Sequence, residues 1–192
     1  MANTVSVINL IQGPADIYTG AFGATEPADT TVNTSPPTSS WTGVGGTMGG
    51  VNIAINQTFA ILNVDQLVDT PARRLTARDV QIKTTMAEAT LANLTLAMND
   101  VTAASGAGYS NIEPQFTNSA ISPTYRALLL DGQAPGSATD SFNRRVIARK
   151  VVSIDNIGID YAKDTQGGIP VTWGAHYVTS AIAPFHIVDQ TS

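Results

Sequence analysis

Residues 51–84 form a long stretch in which apolar and polar side chains alternate. Alternation with a period of two is typical of β-strands that have one buried and one solvated face. A turn containing Pro71 divides the stretch, which therefore predicts a long β-hairpin whose return strand begins near Arg73. Because the apolar parity shifts after Ile61, we expect a β-bulge or a strong bend there. The apolar face of the first strand comprises Val51, Ile53, Ile55, Phe59 and Ile61.

The hairpin leads into a segment with a helical pattern. The sequence TMAE at residues 85–88 matches a capping box, in which the threonine and glutamate side chains bind free amides of the first helical turn. Leu91, Leu94 and Met98 follow at the spacing i, i+3, i+7 and form a narrow apolar stripe. The pattern therefore predicts a helix over residues 86–99 that lies with this stripe across a sheet.

The other predicted strands are less regular. Residues 125–130 predict a strand closed by the turn-forming pair Asp131-Gly132. Residues 142–155 predict a strand with basic and apolar residues on both faces, which is typical of a rim or a subunit interface. A last strand is predicted at 171–177, whereas residues 105–124 have the composition of a loop.

These elements predict one mainly β domain. We expect a β-sandwich or small barrel of about six strands with one flanking α-helix, extended loops and terminal arms. The predicted segments are an N-terminal arm and strand (1–22), a long loop rich in Pro, Thr and Gly (23–50), the hairpin (51–84), the helix (85–100), a loop (101–124), further strands (125–178) and a C-terminal arm (179–192).

The composition predicts a polar but weakly ionic surface. Only 13% of the residues are charged, against roughly 25% in typical domains. The formal net charge is −5. Because net charge helps to keep monomers apart, we interpret the weakly ionic surface as favouring a subunit of a larger assembly.

Basic residues are concentrated in two runs, and residues 1–72 contain no Lys or Arg. Subunits that meet head to tail could use this asymmetry to fix their register, but two solvated strand faces would give the same pattern. The candidate inter-subunit residues are Arg73, Arg74, Arg78, Arg144, Arg145, Arg149 and Lys150.

We predict no catalytic, cofactor-binding or metal site, and we do not expect an enzyme. The chain has no cysteine for a thiolate zinc site. Its two histidines, His176 and His186, match no metal-binding motif, and His176 is expected to be structural. No nucleophile elbow, P-loop or dinucleotide fingerprint occurs. The sequence also lacks a signal-peptide pattern at its N-terminus and a run of about 18 apolar residues that could span a membrane.

The order of these features resembles one family. The segments GGVNIAINQTFAILNVDQ (49–66) and PARRLTARDVQIKTTMAEATLANLTLAM (71–98) are similar to the hairpin and following helix of the major tail (tail tube) proteins of long-tailed bacteriophages. The similarity covers residues 40–100, and it includes the basic return strand that runs into TTMAEATLANL. The rest of the chain agrees with the family in length and strand content.

The resemblance implies a structural virion protein that forms stacked, hexameric rings, which make a hollow phage tail tube. Its partners would be copies of itself, a tape-measure protein and other tail proteins, and DNA would pass without specific binding. The polar face of the hairpin would line the lumen, so the candidate lumen-facing residues are Asn52, Asn56, Thr58, Asp79, Gln81 and Lys83. The arms and loops would make contacts between rings, and deletion of residues 24–39 would spare the fold but impair polymerisation.

Two alternatives stay open at this point. Another phage ring protein, such as a neck, tail terminator or capsid-decoration protein, would follow the same assembly logic. A secreted or surface β-sandwich that binds glycans or proteins could use Trp41, Trp173 and Tyr109 as ligand platforms, although Trp173 alternates with apolar neighbours and fits a core better.

Overall fold

The computed structural model describes residues 5–99, 101–114, 123–136 and 142–191. Over these residues the protein is mainly β, with one α-helix and a large antiparallel sheet. The predicted fold class is therefore confirmed. Parts of five predicted segments lie outside the described residues, namely 1–4, 100, 115–122, 137–141 and 192.

The described strands form a sheet of eight and a sheet of two. Their bounds are β1 (Asp16–Ala21), β2 (Thr42–Gly43), β3 (Thr47–Leu62), β4 (Ala72–Met86), β5 (Val101–Gly106), β6 (Tyr109–Pro114), β7 (Arg126–Ala134), β8 (Phe142–Ser153), β9 (Ile169–Ala175) and β10 (Phe185–Asp189). The large sheet has the order β2-β1-β7-β8-β9-β4-β3, with β10 also paired to β8. β5 and β6 form the smaller sheet, and α1 (Leu91–Met98) is the described helix.

Strand β8 lies in the middle of the large sheet, so its predicted place at a rim is wrong. It pairs with β7 along one edge and with β10 and then β9 along the other. The predicted turn at Asp131-Gly132 is also wrong, because β7 continues through both residues and pairs them with Arg145 and Arg144. The C-terminal segment, predicted as an arm, likewise folds back onto its own sheet as β10.

Both faces of the sheet are covered. On β7, Leu128 and Leu130 belong to the larger core cluster, whereas Leu129 belongs to a second cluster on the opposite face. The larger cluster packs under α1, and the second contains the buried Trp41. Successive residues of a strand point to opposite faces, so a run of apolar residues is expected where a sheet is buried on both sides.

The helix begins later than predicted. β4 extends to Met86 because its last seven residues pair with β9, so the TMAE sequence does not cap a helix. Thr90 is the N-cap, and its hydroxyl accepts a hydrogen bond from the amide of Asn93 at 3.2 Å. The Glu88 carboxylate instead accepts a hydrogen bond from the Gly46 amide.

A buried asparagine fixes the helix in place. The Asn93 side chain donates hydrogen bonds to the carbonyls of Val44 and Glu88 at 2.9 and 2.8 Å. At the other end, the Asn99 side chain donates to the Ser153 carbonyl at 2.8 Å and so anchors the helix to β8. The position of α1 is therefore set by polar contacts as well as by packing.

Two loop predictions also differ from the structure. Residues 105–114, predicted as part of a loop, belong to the β5–β6 hairpin. This segment is rich in Ser, Gly and Asn and lacks apolar alternation, so its pattern gave no strand signal. Conversely, the alternating Ile157, Ile159 and Tyr161 lie in an irregular segment between β8 and β9.

Candidate assembly surface

The outer half of the β3–β4 hairpin extends beyond the rest of the sheet. β9 pairs with β4 over residues 80–86, whereas β3 and β4 remain paired with each other as far as Leu62 and Ala72. Every residue from 55 to 79 is exposed. We call residues 55–79 the arm.

The arm has open strand edges. Among the described residues, no strand pairs with the outer edge of β3, and none pairs with β4 outward from residue 79. An isolated two-stranded hairpin is at best marginally stable in water, and an open edge is a template for pairing with another chain. The arm therefore presents unpaired backbone donors and acceptors along both sides.

One face of the hairpin is polar and contains all six candidate lumen-facing residues. Directly opposite residues of an antiparallel pair share a face. The facing pairs on this side are Asn52–Lys83, Ala54–Gln81, Asn56–Asp79 and Thr58–Ala77. The Gln81 amide donates a hydrogen bond to the Asp79 carboxylate at 2.7 Å along the same face. The structure thus brings the six residues together, while their role at a lumen stays a prediction.

The other face of the hairpin is apolar, and it runs from the core out along the arm. The facing pairs on this side are Ile53–Ile82, Ile55–Val80, Gln57–Arg78, Phe59–Leu75 and Ile61–Arg73. Ile82 and Val80 are buried, but Ile55 is 41% exposed, Phe59 50% and Ile61 53%. The chain therefore covers the inner part of this apolar face and leaves the outer part in water.

A β-bulge within the arm keeps the apolar face continuous. Thr58 pairs with Ala77 and Phe59 with Leu75, so Thr76 is the extra residue. Its hydroxyl donates a hydrogen bond to the Thr58 carbonyl at 3.0 Å. No bulge follows Ile61, because the ladder continues without a shift to Leu62; of the two predicted features the chain shows the bend, in the turn between β3 and β4.

The first basic run lies on the arm. Arg73 and Arg78 are on the apolar face, and Arg74 faces Ala60 on the polar face. All three are exposed, and none forms an ion pair with any part of the chain that the structure describes. They remain candidates for contacts with another subunit.

The arginines of the second basic run have carboxylate partners within the chain, so their inter-subunit role stays a prediction. Arg145 is only 2% exposed, and its guanidinium donates to both carboxylate oxygens of Asp131 at 2.7 Å. Arg149 pairs with Glu26. Long side chains with buried carboxylate partners can lie in a sheet interior, which the alternation of charge along β8 did not reveal.

The other two members of this run also have partners in their own chain. Arg144 donates to both oxygens of Asp189 at 2.6 Å, which holds the pKa of that carboxyl below its usual value. The Lys150 ammonium lies 4.2 Å from the centre of the Tyr125 ring and 5.6 Å from that of Phe22, within cation–π distance. Contact with a neighbouring subunit is not needed to explain either residue.

The long loop at 23–50 is held against the folded core by several contacts. Arg145 donates to the carbonyls of Thr31 and Thr34 at 3.2 and 2.6 Å, and the Trp41 indole donates to the Thr25 carbonyl at 3.0 Å. Val32 is buried as well. The expectation that residues 24–39 can be deleted without loss of the fold is therefore revised.

The aromatic residues give little support to a ligand platform. Trp41 and Trp173 are both buried in the core, and only Tyr109 of the three candidates is exposed. His176 packs edge-on against Tyr125, with ring centroids 5.5 Å apart. These contacts place the tryptophans among the packing residues of the fold.

Sequence reasoning did not predict the apolar hollow beside the helix. The helix buries Asn93, Leu96 and Ala97, and of the predicted stripe Leu94 is partly buried and packs against the core, whereas Leu91 and Met98 are exposed. Met98 is 38% exposed. Like Leu94, Ile157 and Ile159 are partly buried and pack against the core. We call the helix patch the set Leu91, Leu94, Met98, Ile157 and Ile159. The last four of these residues line a hollow of about 400 Å³.

Comparisons with known proteins do not identify a function, so the proposal below is based on the geometry of the chain. The chain matches no protein-family model and no curated protein. In the described ranges, no helix has the length and apolar character needed to cross a membrane. Those ranges also contain no group of three or more His, Asp or Glu side chains that could hold a metal ion.

Proposed function

We propose that this chain is a structural subunit that assembles into rings and a hollow tube, like the major tail (tail tube) proteins of long-tailed bacteriophages. The observation that supports this proposal best is the arm, which has two open edges and one exposed apolar face. Such a hairpin is at best marginally stable in water by itself, and a surface that covers it would stabilise it. Other copies of the chain are present wherever the protein is made, and a neighbouring copy can supply that surface.

A closed ring solves the problem of the open edges. If the arm of each subunit pairs with the sheet of the next, the edges of the arm are satisfied and no longer recruit further strands at random. An arm that pairs only in an open chain would instead produce irregular aggregates. The β3–β4 ladder continues to the end of β3, so the arm offers long edges. Such edges suit an extended strand pairing with a neighbour better than a contact of one or two residues.

The polar face suits the wall of a conduit. Its six candidate residues include one acid, Asp79, and one base, Lys83, and Arg74 lies farther out on the same face. Such a nearly neutral wall offers few of the phosphate contacts that make DNA binding tight. A tape-measure protein and then DNA would therefore pass along it without being held.

Of the alternatives, a neck, tail terminator or capsid-decoration protein would use the same arm and differ in whether rings stack without limit. The glycan- or protein-binding sandwich loses support because two of its three candidate platform residues, Trp41 and Trp173, are buried. In the proposed role the protein acts in the virion tail after assembly in the host cytoplasm, and it needs neither a cofactor nor a catalytic residue.

Electron microscopy and sedimentation of the concentrated protein test the proposal. We expect rings and tubes for the unmodified chain. A matched control replaces residues 58–77 with Asn-Gly, which joins Gln57 to the residue opposite it, Arg78, by a two-residue hairpin turn. The shortened protein should stay folded and monomeric. Strictly monomeric behaviour of the full chain at high concentration would contradict the proposal, as would tubes formed by the shortened protein.

A further inference from the structure

Strand β10 has an open outer edge. It pairs with β8 along one side, and no described strand pairs with its other side. Pro184 and Gln190, which flank the strand, both form backbone hydrogen bonds with β8. The backbone groups of an antiparallel strand point alternately to its two sides. The N–H and C=O groups of Phe185, Ile187 and Asp189 therefore point to the open edge.

The strand order of the sheet makes β4 the next neighbour of β10. β9 lies between β8 and β4, and Val151, Ala175 and Val80 form one row across these three strands. β10 lies along the same edge of β8 as β9, so an arm that continued in the plane of the sheet would run beside β10. β9 is antiparallel to both β8 and β4, and β10 is antiparallel to β8, so β10 and β4 run in opposite directions. In the structure no pairing joins the two strands.

The rows of the sheet bring three residues of β10 level with three residues of β4. β7 and β3 advance by two residues from each row to the next on one face, while β8 and β4 each contain one extra residue. Counted outward from the row of Val151 and Val80, each of the next three rows holds one residue of β10 and one of β4 on the face of the larger core cluster. These pairs are Phe185–Arg78, Ile187–Leu75 and Asp189–Arg73.

The side chains of these rows suit an antiparallel pair. Ile187 is 45% exposed and Leu75 is 38% exposed, so each would cover apolar surface of the other. In the outermost row Arg73 would face the Asp189 carboxylate, and opposite charges that face each other across two strands stabilise their pairing. Both strands also have an open edge, which is a template for pairing with another strand.

We infer that the outer part of β4 closes onto β10 of the same chain and so completes the large sheet. The backbone groups of Phe185, Ile187 and Asp189 then bond with those of β4 between Arg73 and Arg78. Because both strands belong to one chain, their effective concentration is high and the pairing needs no second molecule. Closure leaves the outer edge of β3 as the open edge of the arm, so it is compatible with the proposed function but does not rest on it.

Hydrogen exchange measured by NMR tests the closure. The full chain is compared with the shortened protein described above, in which Asn-Gly replaces residues 58–77, at a concentration where sedimentation shows monomers. We expect the amides of Ile187 and Asp189 to exchange several-fold more slowly in the full chain, because only the full chain can bond them to β4. The amides of His186 and Val188 are the internal control, since they point to β8 and should exchange equally in both proteins.

The outcomes separate this inference from the proposed function. Equal exchange of the Ile187 and Asp189 amides in the two proteins would overturn the closure. Slow exchange that is lost on dilution would overturn it too, because the bonds would then come from another copy of the chain. In either case rings and tubes of the full chain, seen by microscopy, would still support the proposed function.

A disulfide experiment keeps the arm in place and tests the closure even if the shortened protein loses β10. The chain has no cysteine of its own, so Leu75→Cys/Ile187→Cys adds a single pair, which the closed form brings face to face. Facing residues of an antiparallel ladder have Cα atoms about 4.5–5.5 Å apart, within the range that a disulfide spans. The control Arg74→Cys/Ile187→Cys places one cysteine on the opposite face. We expect a several-fold higher yield of the internal disulfide for the first variant, whereas equal yields or links only between molecules would overturn the closure.

Discussion

Two neighbouring arginines of β8 provide a matched test of how burial sets the strength of an ion pair. Arg145 and Asp131 have side chains that are 2% and 19% exposed, whereas Arg144 and Asp189 are 35% and 37% exposed. Both pairs are bidentate, with donor–acceptor distances of 2.6–2.7 Å. Asp131→Asn and Asp189→Asn therefore make the same chemical change at two levels of burial.

The expected losses of stability differ by about 2 kcal/mol. Removal of one partner from a buried pair costs about 3–5 kcal/mol, because an unpaired charge stays in the interior. The partial exposure of Asp131 places its substitution near the lower end, at about 3 kcal/mol. The exposed pair should lose at most about 1 kcal/mol when Asp189 is replaced.

Denaturant unfolding measures this difference. Both variants and the unmodified protein are unfolded in urea, at a protein concentration where sedimentation shows monomers. Their free energies of unfolding are compared provided that the slopes m, the dependence of the free energy on urea concentration, are equal. The double variant Asp131→Leu/Arg145→Met should recover much of the stability that Asp131→Asn loses, because no charge is then left buried. Equal losses for Asp131→Asn and Asp189→Asn would refute the argument from burial.

Three other features predict measurable effects. Thr90→Ala removes the cap of the Asn93 amide and should cost about 1 kcal/mol in denaturant unfolding; no loss would show that the cap is dispensable. Deletion of residues 24–39 removes two carbonyl partners of Arg145 and should abolish the native circular dichroism spectrum, whereas a retained spectrum would show that the loop is not part of the core. Hydrogen bonds from the next backbone amide and from a threonine hydroxyl lower the pKa of Asp155. The stabilisation from Asp155 is therefore present above the unfolded pKa of about 3.9 and is lost as pH falls through the lower folded value, so Asp155→Asn should destabilise at neutral pH and converge with the unmodified protein in acid.

The hairpin could be predicted from the sequence because its signal is local. Alternation over residues 51–84 fixes which side chains share a face, whatever the rest of the chain does. The start of the helix could not be predicted in this way, because the TMAE sequence satisfies the rule for a cap but is drawn into the ladder with β9. Pairing with a strand some 80 residues away outweighed a capping preference that is worth about 1 kcal/mol.

Strand β8 shows a different limit of sequence reasoning. The prediction from alternation assumes that every arginine lies at the surface, and it therefore assigned this central strand to a rim. The carboxylates that allow the arginines to be buried, Glu26 and Asp131, lie far away in sequence or in a pair that suggested a turn. The inter-subunit role of these arginines stays a prediction, because a charge pattern alone does not show whether its partners belong to the same chain.

The apolar face of the hairpin itself argues for a partner beyond the chain. From Ile82 and Val80 in the core to Leu75 on the arm, the residues keep the same apolar character while their exposure rises from 1% and 4% to 38%. If the arm were destined for solvent, polar side chains would suit its outer positions better, because the described chain leaves much of Ile55, Phe59 and Ile61 uncovered. Their presence shows a strand whose sequence suits burial along a greater length than its own chain covers. In the proposed assembly a second copy of the chain would supply the missing cover.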